Sequence, residues 1–234
     1  MKIGGFLKQS FIDYPGHLAS VVFTKGCNFK CGFCHNPELV LPNLMEQNIN
    51  IEIDSINHFL NKNKKMIDAI VITGGEPTIH DDLEDFIVNF KNIGFKIKLD
   101  TNGTNPKQIK NLLDKNLLSY VAMDIKTSNN INKYSDICGV KLSEATMNNI
   151  ELSVDLIKNS NIDYEFRTTL VKEFHTLNDF KEIAKWIKGT KKFTLQKTLK
   201  NNNLIDNNIN SFDDDFFIDE IKKILNKENI LYYC

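Results

Sequence analysis

The sequence predicts an α/β protein built as a partial parallel barrel of six βα units. Two patterns predict it. Short runs rich in β-branched residues alternate with amphipathic helical segments along the 234-residue chain, as parallel βαβ units require. Four of the strands also carry one apolar face and one polar, charged face. Parallel strands covered on both sides read as continuous apolar runs, and a closed eight-stranded barrel fills its interior with Val, Ile and Leu. An open barrel, helices outside and a polar channel inside, satisfies both patterns.

The elements follow in order. A first strand at 19–24 runs into a cysteine-rich loop and a helix near 54–63. A second at 69–73 leads through a Gly-Gly turn to a helix at 81–93. The third, 95–100, sets Phe95, Ile97 and Leu99 against Lys96, Lys98 and Asp100, and a helix at 106–116 follows. The fourth, 120–126, sets Val121, Met123 and Ile125 against Tyr120, Asp124 and Lys126, before a helix at 142–159. In the fifth, 164–171, Phe166 and Leu170 oppose Glu165, Arg167 and Thr169; its helix is 178–187. In the sixth, 193–199, Phe193 and Leu195 oppose Thr194, Gln196 and Thr198. The polar tract 201–211 reads as a loop before a last helix near 213–226. We expect one domain over 1–234, with its core at 17–199 and a C-terminal helical extension at 211–234.

Composition narrows the function. Hydrophobic residues at 41% suffice for a core. Twenty-nine basic residues against 30 acidic give a net charge of -1, with no polybasic arm or acidic tail. Neither nucleic acid nor a membrane surface is an expected partner. No stretch approaches 18 apolar residues and the first residues lack a signal peptide's apolar region, so a cytoplasmic location is expected. Arg167 is the single arginine, which makes it worth explaining.

Five cysteines are too few, and odd in number, for a disulfide scaffold. Three of them, Cys27, Cys31 and Cys34, lie within eight residues as Cys-x3-Cys-x2-Cys. Iron–sulfur cubanes usually take four thiolates, so three leave one iron open to an outside ligand. An open position separates a catalytic metal centre from a closed structural one. The other readings are a zinc site completed by His35 and an electron-transfer cluster with Cys138 as fourth ligand. Cys138 on its own reads as a small buried hydrophobe.

With Phe33 before the third cysteine, the motif resembles the signature of the radical S-adenosylmethionine (SAM) enzymes. The stretch GGFLKQSFIDYPGHLASVVFTKGCNFKCGFCHNPELV is similar to the anaerobic ribonucleoside-triphosphate reductase activating proteins, a branch of the glycyl-radical enzyme activating proteins. The likeness is close to about Thr169 and weaker beyond. It implies the radical SAM type of partial barrel and one 4Fe–4S cluster on Cys27, Cys31 and Cys34. It also implies S-adenosylmethionine on the fourth iron, cleaved reductively to a 5′-deoxyadenosyl radical that takes hydrogen from a glycine of a partner enzyme. A flavodoxin- or ferredoxin-type reductant goes with that chemistry. Phe33 and the backbone of His35 then fall on the cofactor side of the loop.

Three further motifs sit at strand ends in order. In VITGGEPT, Gly74 and Gly75 suit close backbone approach to a ligand, and the Glu76 carboxylate suits an ammonium. LDTNGT follows the third strand and MDIK closes the fourth, with Asp124 and Lys126 two apart on one face. By resemblance to pyruvate formate-lyase activating enzyme, Asp100, Thr101, Asp124 and Lys126 contact the cofactor. Arg167 reads either as a structural ion pair with Glu165 or as a binder of the cofactor carboxylate or a partner loop. His17, His58, His80 and His175 show no ligand spacing and read as surface residues. Where related activases have a histidine in the sixth-strand region, this chain has TLQKTLK, with Gln196 and Thr198 as unassigned substitutes.

Three functions compete. The first is an activase for a glycyl-radical enzyme, most specifically anaerobic ribonucleotide reductase, with a pyruvate formate-lyase type as its variant. The second is a small-molecule radical enzyme such as 7-carboxy-7-deazaguanine synthase, against which IDYPG and CHNPEL weigh. The third is a non-catalytic iron–sulfur carrier, which would leave the strand-end motifs idle. Activases with extra ferredoxin-like clusters are excluded, since only two cysteines lie outside the motif.

Overall fold

The computed structural model describes residues 1–200 and 203–234. Its eight strands form one sheet in the order β1 to β8. They are β1 (Ile3–Ser10), β2 (Ala19–Thr24), β3 (Ala69–Gly74), β4 (Lys96–Thr101), β5 (Tyr120–Asp124), β6 (Asp163–Leu170), β7 (Phe193–Lys197) and β8 (Tyr232–Tyr233). Neighbours are parallel from β2 to β8, while β1 runs antiparallel to β2. The helices are α1 (Pro42–Gln47), α2 (Ile53–Asn63), α3 (Leu83–Ile93), α4 (Pro106–Asp114), α5 (Ile131–Cys138), α6 (Glu144–Lys158), α7 (Leu177–Trp186) and α8 (Asp215–Lys227).

Each strand pairs with the one before it, so the sheet curls steadily, yet β1 and β8 remain its two edges. The result is the open barrel that the alternation predicted. The six expected strands and six expected helices all occur, each with ends within two residues. Four elements were not foreseen: β1, β8, α1 and α5. In β1, Gly4 and Gly5 are poor strand formers. Pairing from Ile3↔Thr24 to Ser10↔Ala19 makes the strand nonetheless.

The helices pack on outward side chains such as Ile70, Ile72, Ile97, Leu99, Val121 and Met123, all fully buried. The inward face corrects one expectation, because the channel is not polar throughout. Ala19, Val21, Ala69, Val71 and Ala122 form a separate buried apolar cluster with Tyr14 and Tyr120. The two tyrosine rings lie 5.5 Å apart. Small side chains on β2 and β3 leave room for these rings, so this part of the interior closes dry.

Lys98 is 3% exposed; its ammonium donates to the Asp13 carbonyl and stands 2.9 Å from Asp100 Oδ1. Lys96 and Gln196 are exposed, and Thr198 is buried against the Leu170 carbonyl. Asn201 and Asn202 of the polar tract lie outside the described residues. From Leu204 the tract turns inward, burying Leu204, Ile209 and Phe212. No helix among the described residues is long and apolar enough to cross a membrane.

Candidate metal and cofactor site

All thirteen residues singled out from the sequence line one cleft at the C-terminal ends of the strands. Barrel enzymes assemble their sites at this end. The cysteine loop leaves β2 at Lys25 and has no regular structure, so it needs other anchors. Gly26, at φ +96°, turns the chain and donates its N–H to Leu39. Lys30 N–H donates to the Cys138 carbonyl, and Asp206 N–H to the Gly32 carbonyl. Asn28 bonds the side chains of Asn102 and Thr104 in the DTNGT loop. The Lys25 ammonium, buried beside the loop, bonds the Met45 and Asn48 carbonyls and Asn50.

The thiols differ in character. Burial pushes Cys27 up to about 12 and raises Cys34, whereas a hydrogen bond with Cys138 draws Cys31 down to about 7. Cys138 is fully buried, as a small hydrophobe would be, yet it touches the loop thiol rather than apolar groups alone.

The Gly-Gly pair works differently from the sequence reading. A Cβ on Gly75 would stand 1.9 Å from the Gly26 carbonyl oxygen, and one on Gly74 2.4 Å from Thr24 N. The close approach these glycines serve is that of one strand end and its loop to the next, β3 to β2 at Gly74 and loop to loop at Gly75. Glu76 N–H donates to that same Gly26 carbonyl. Gly75→Ala is therefore expected to cost about 1–3 kcal/mol through overpacking, a fall of very roughly 2–12 °C in Tm by calorimetry. An unchanged Tm would show that the loops separate at no cost.

Glu76 itself is 1% exposed and accepts four hydrogen bonds. Thr78 gives its N–H and hydroxyl to Oε1, Thr101 gives its hydroxyl to Oε1, and Asn102 gives its N–H to Oε2. Burial raises its pKa and these donors oppose the rise. Both oxygens are engaged by protein, Oε1 by three donors and Oε2 by the Asn102 N–H alone, so the carboxylate also ties two loops together. Thr101 is likewise turned toward Glu76.

Charges alternate along one chain of contacts at the ends of β4, β5 and β6: Asp100, Arg167, Asp124, Lys126. Asp100 Oδ2 accepts from Arg167 Nη1 at 3.2 Å, Asp124 Oδ1 from Arg167 Nε at 3.0 Å, and Asp124 Oδ2 from Lys126 Nζ at 2.9 Å. Although burial opposes it, Lys126 and Arg167 hold the Asp124 carboxyl down to about 2. The Arg167–Glu165 ion pair, one of the two readings of Arg167, does not form. Asp124 is the registered neighbour of Arg167 on the adjoining strand, and strands lie closer than residues two apart along one. Glu165 instead accepts from Thr194 and pairs with Lys192. Lys126 Nζ also sits 5.5 Å from the centre of the Phe33 ring, joining β5's end to the cysteine loop.

His175 departs from the surface reading as well: it is 5% exposed and bonded on both ring nitrogens. Sequence reasoning also passed over Thr73, Asn102 and Thr169, which line the cleft. Asn102 stood inside the DTNG motif and Thr169 on the polar face of its strand, so both carried a signal.

An open parallel barrel with a three-cysteine loop and charged strand ends defines a cluster-dependent barrel enzyme. The chain belongs to the Radical SAM superfamily, whose sequence profile matches residues 21–187. A Methanocaldococcus jannaschii protein, by its name a candidate glycyl-radical enzyme activating enzyme, is 36% identical over 197 residues, 83% of this chain and 79% of that one. The 7-carboxy-7-deazaguanine synthase of Aquifex aeolicus is 36% identical over 81 residues, 34% of each chain. Among solved structures, a radical SAM methyltransferase from Sphaerobacter thermophilus superposes with TM-score 0.71 at 15% identity, covering 96% of this chain and 67% of its own.

Membership implies a 4Fe–4S cluster and S-adenosylmethionine, and the residues present fit them. Three soft thiols share one loop and one cleft. Among the described residues no three His, Cys, Asp or Glu side chains gather as for a single metal ion.

Proposed function

We propose that the protein activates a glycyl-radical enzyme, most specifically an anaerobic ribonucleotide reductase, with a flavodoxin- or ferredoxin-type protein supplying the electron. When bound, the cluster and S-adenosylmethionine supply the radical chemistry that takes a hydrogen atom from a glycine Cα. Cys27, Cys31 and Cys34 hold the cluster. The Lys126 ammonium, neutralised by Asp124 alone, holds the cofactor's carboxylate. Asp124 and Asp100 orient its polar groups, Phe33 and the His35 backbone flank its adenine, and backbone at Gly74 and Gly75 takes its amino group. Arg167, engaged by two carboxylates, keeps Asp100 and Asp124 aimed and, with Lys126, keeps Asp124 ionised.

The size of the cleft carries this reading. It encloses about 190 Å³, against roughly 300–1,000 Å³ for sites that bury a small ligand. S-adenosylmethionine alone would take up more than that and reach to the open side, so no closed pocket remains for a second small molecule, and a loop of another protein needs none. The inserted loop also keeps water from the reacting centre. The likeness to the M. jannaschii protein spans most of both chains, while that to the deazaguanine synthase spans a third, which favours a protein substrate.

The test is electron paramagnetic resonance of the reduced, reconstituted protein with S-adenosylmethionine and an anaerobic reductase. A glycyl doublet is expected, with 5′-deoxyadenosine formed alongside. No doublet, together with rapid turnover of a free purine or pterin, would overturn the reading.

A further inference from the structure

We infer that His175 is a positioning residue, holding the end of β5 so that the Lys126 ammonium faces the cofactor. The inference rests on the assignment of Lys126 made above and goes beyond it by naming what fixes that lysine in place.

The chain leaves the sheet at Asp124, so residues 125 and 126 lack a regular strand partner. Their backbone groups nevertheless find partners. Ile125 N–H donates to the Arg167 carbonyl at 2.8 Å, and the Ile125 carbonyl accepts from the Thr168 hydroxyl at 2.6 Å. Lys126 N–H donates to the Tyr134 hydroxyl at 3.1 Å. The Lys126 carbonyl lies 2.8 Å from His175 Nε2. The two peptide groups that flank the Lys126 Cα are thus each held by a side chain that is itself buried. A lysine on such a mount does not need to search for its place when a carboxylate arrives, which is how pre-organisation raises affinity.

The histidine can do this in one tautomer only. Val171 N–H donates to Nδ1 at 3.0 Å, so Nδ1 is the bare nitrogen and Nε2 carries the hydrogen given to Lys126. Burial lowers its pKa, in keeping with a neutral ring. The His175 N–H returns to the Val171 carbonyl, and the ring lies 5.5 Å from that of Phe180 on α7. The loop after β6 is thereby locked to the tail of β5. Among the described residues of that loop, His175 is the side chain that bonds Lys126.

The experiment measures S-adenosylmethionine affinity and iron content on the reconstituted full chain, in a double-mutant cycle. His175→Phe keeps the ring and removes both bonds; it is expected to keep its iron and bind the cofactor about tenfold more weakly. Lys126→Ala is expected to weaken binding at least as much, and the double variant no further than Lys126→Ala alone. A merely structural role would instead give additive losses. His175→Gln, whose amide N–H reaches the Lys126 carbonyl, is expected to return to within about threefold of the wild type.

If the Phe variant does not accumulate, His175→Asn carries the same expectation, because its oxygen serves Val171 but its side chain is too short to reach Lys126. Wild-type affinity in a folded, iron-replete Phe or Asn variant would overturn the inference, as would additive losses in the cycle. Unchanged affinity in Lys126→Ala would overturn the assignment of Lys126 itself and the inference with it.

Discussion

Replacing Cys27, Cys31 or Cys34 by serine is expected to abolish iron binding and, with it, all cleavage of S-adenosylmethionine. The expectation follows from ligand count. Three thiolates already leave one iron without a protein ligand, and a hydroxyl is a much harder donor than sulfur for iron–sulfur chemistry. The fold should survive, because the loop is also anchored by its backbone and by Asn28, and the sheet does not depend on it. Iron and sulfide content after anaerobic reconstitution measures the first part, and circular dichroism the second.

Cys138→Ala is the informative control. Its thiol meets Cys31 from the end of α5, which would suit either a packing role or a fourth cluster ligand. Full iron content in the alanine variant is the expected outcome. Loss of iron there would revive the electron-carrier reading, and full iron in Cys31→Ser would overturn the cluster assignment.

Much of this site was legible in the sequence, and the reason is topological. Parallel βα units deliver their strand ends to one face, so motifs that follow successive strands must meet there. The spacing of Asp124 and Lys126 placed them on one side of the chain, and they pair at 2.9 Å. What stayed hidden depends on pairing between strands. No local pattern says whether Arg167 turns to Glu165 two residues away or to Asp124 on the next strand; register decides it. His175 carried no spacing signal because its partners, Lys126 and Val171, are backbone atoms. Cys138 looked like a hydrophobe because the chain gives no hint that α5 ends against the cysteine loop. The dry lower interior escaped notice because Tyr14 enters it from a segment without regular structure.

Glu76→Leu is expected to destabilise the protein even before any cofactor binds. A carboxylate waiting for an ammonium would be dispensable in the empty protein; the carboxylate found here is not. Four donors converge on it, and two of them, the N–H groups of Thr78 and Asn102, belong to the backbone and cannot turn away. A buried donor left unpaired costs about 1–3 kcal/mol, so two give on the order of 4 kcal/mol before the hydroxyls are considered. For a chain of this size that is very roughly 8–16 °C in Tm.

Glu76→Gln separates the two roles further. It keeps one carbonyl acceptor but points an N–H at a donor, so a smaller fall of the same kind is expected. Differential scanning calorimetry of the protein without iron or S-adenosylmethionine is the decisive measurement. If both variants melt with the wild type while cofactor affinity collapses, Glu76 holds the ligand. A large fall in the empty protein means that Glu76 joins the Gly-Gly loop to the DTNG loop, and cofactor affinity measured on the folded Gln variant then reports what the carboxylate adds to binding.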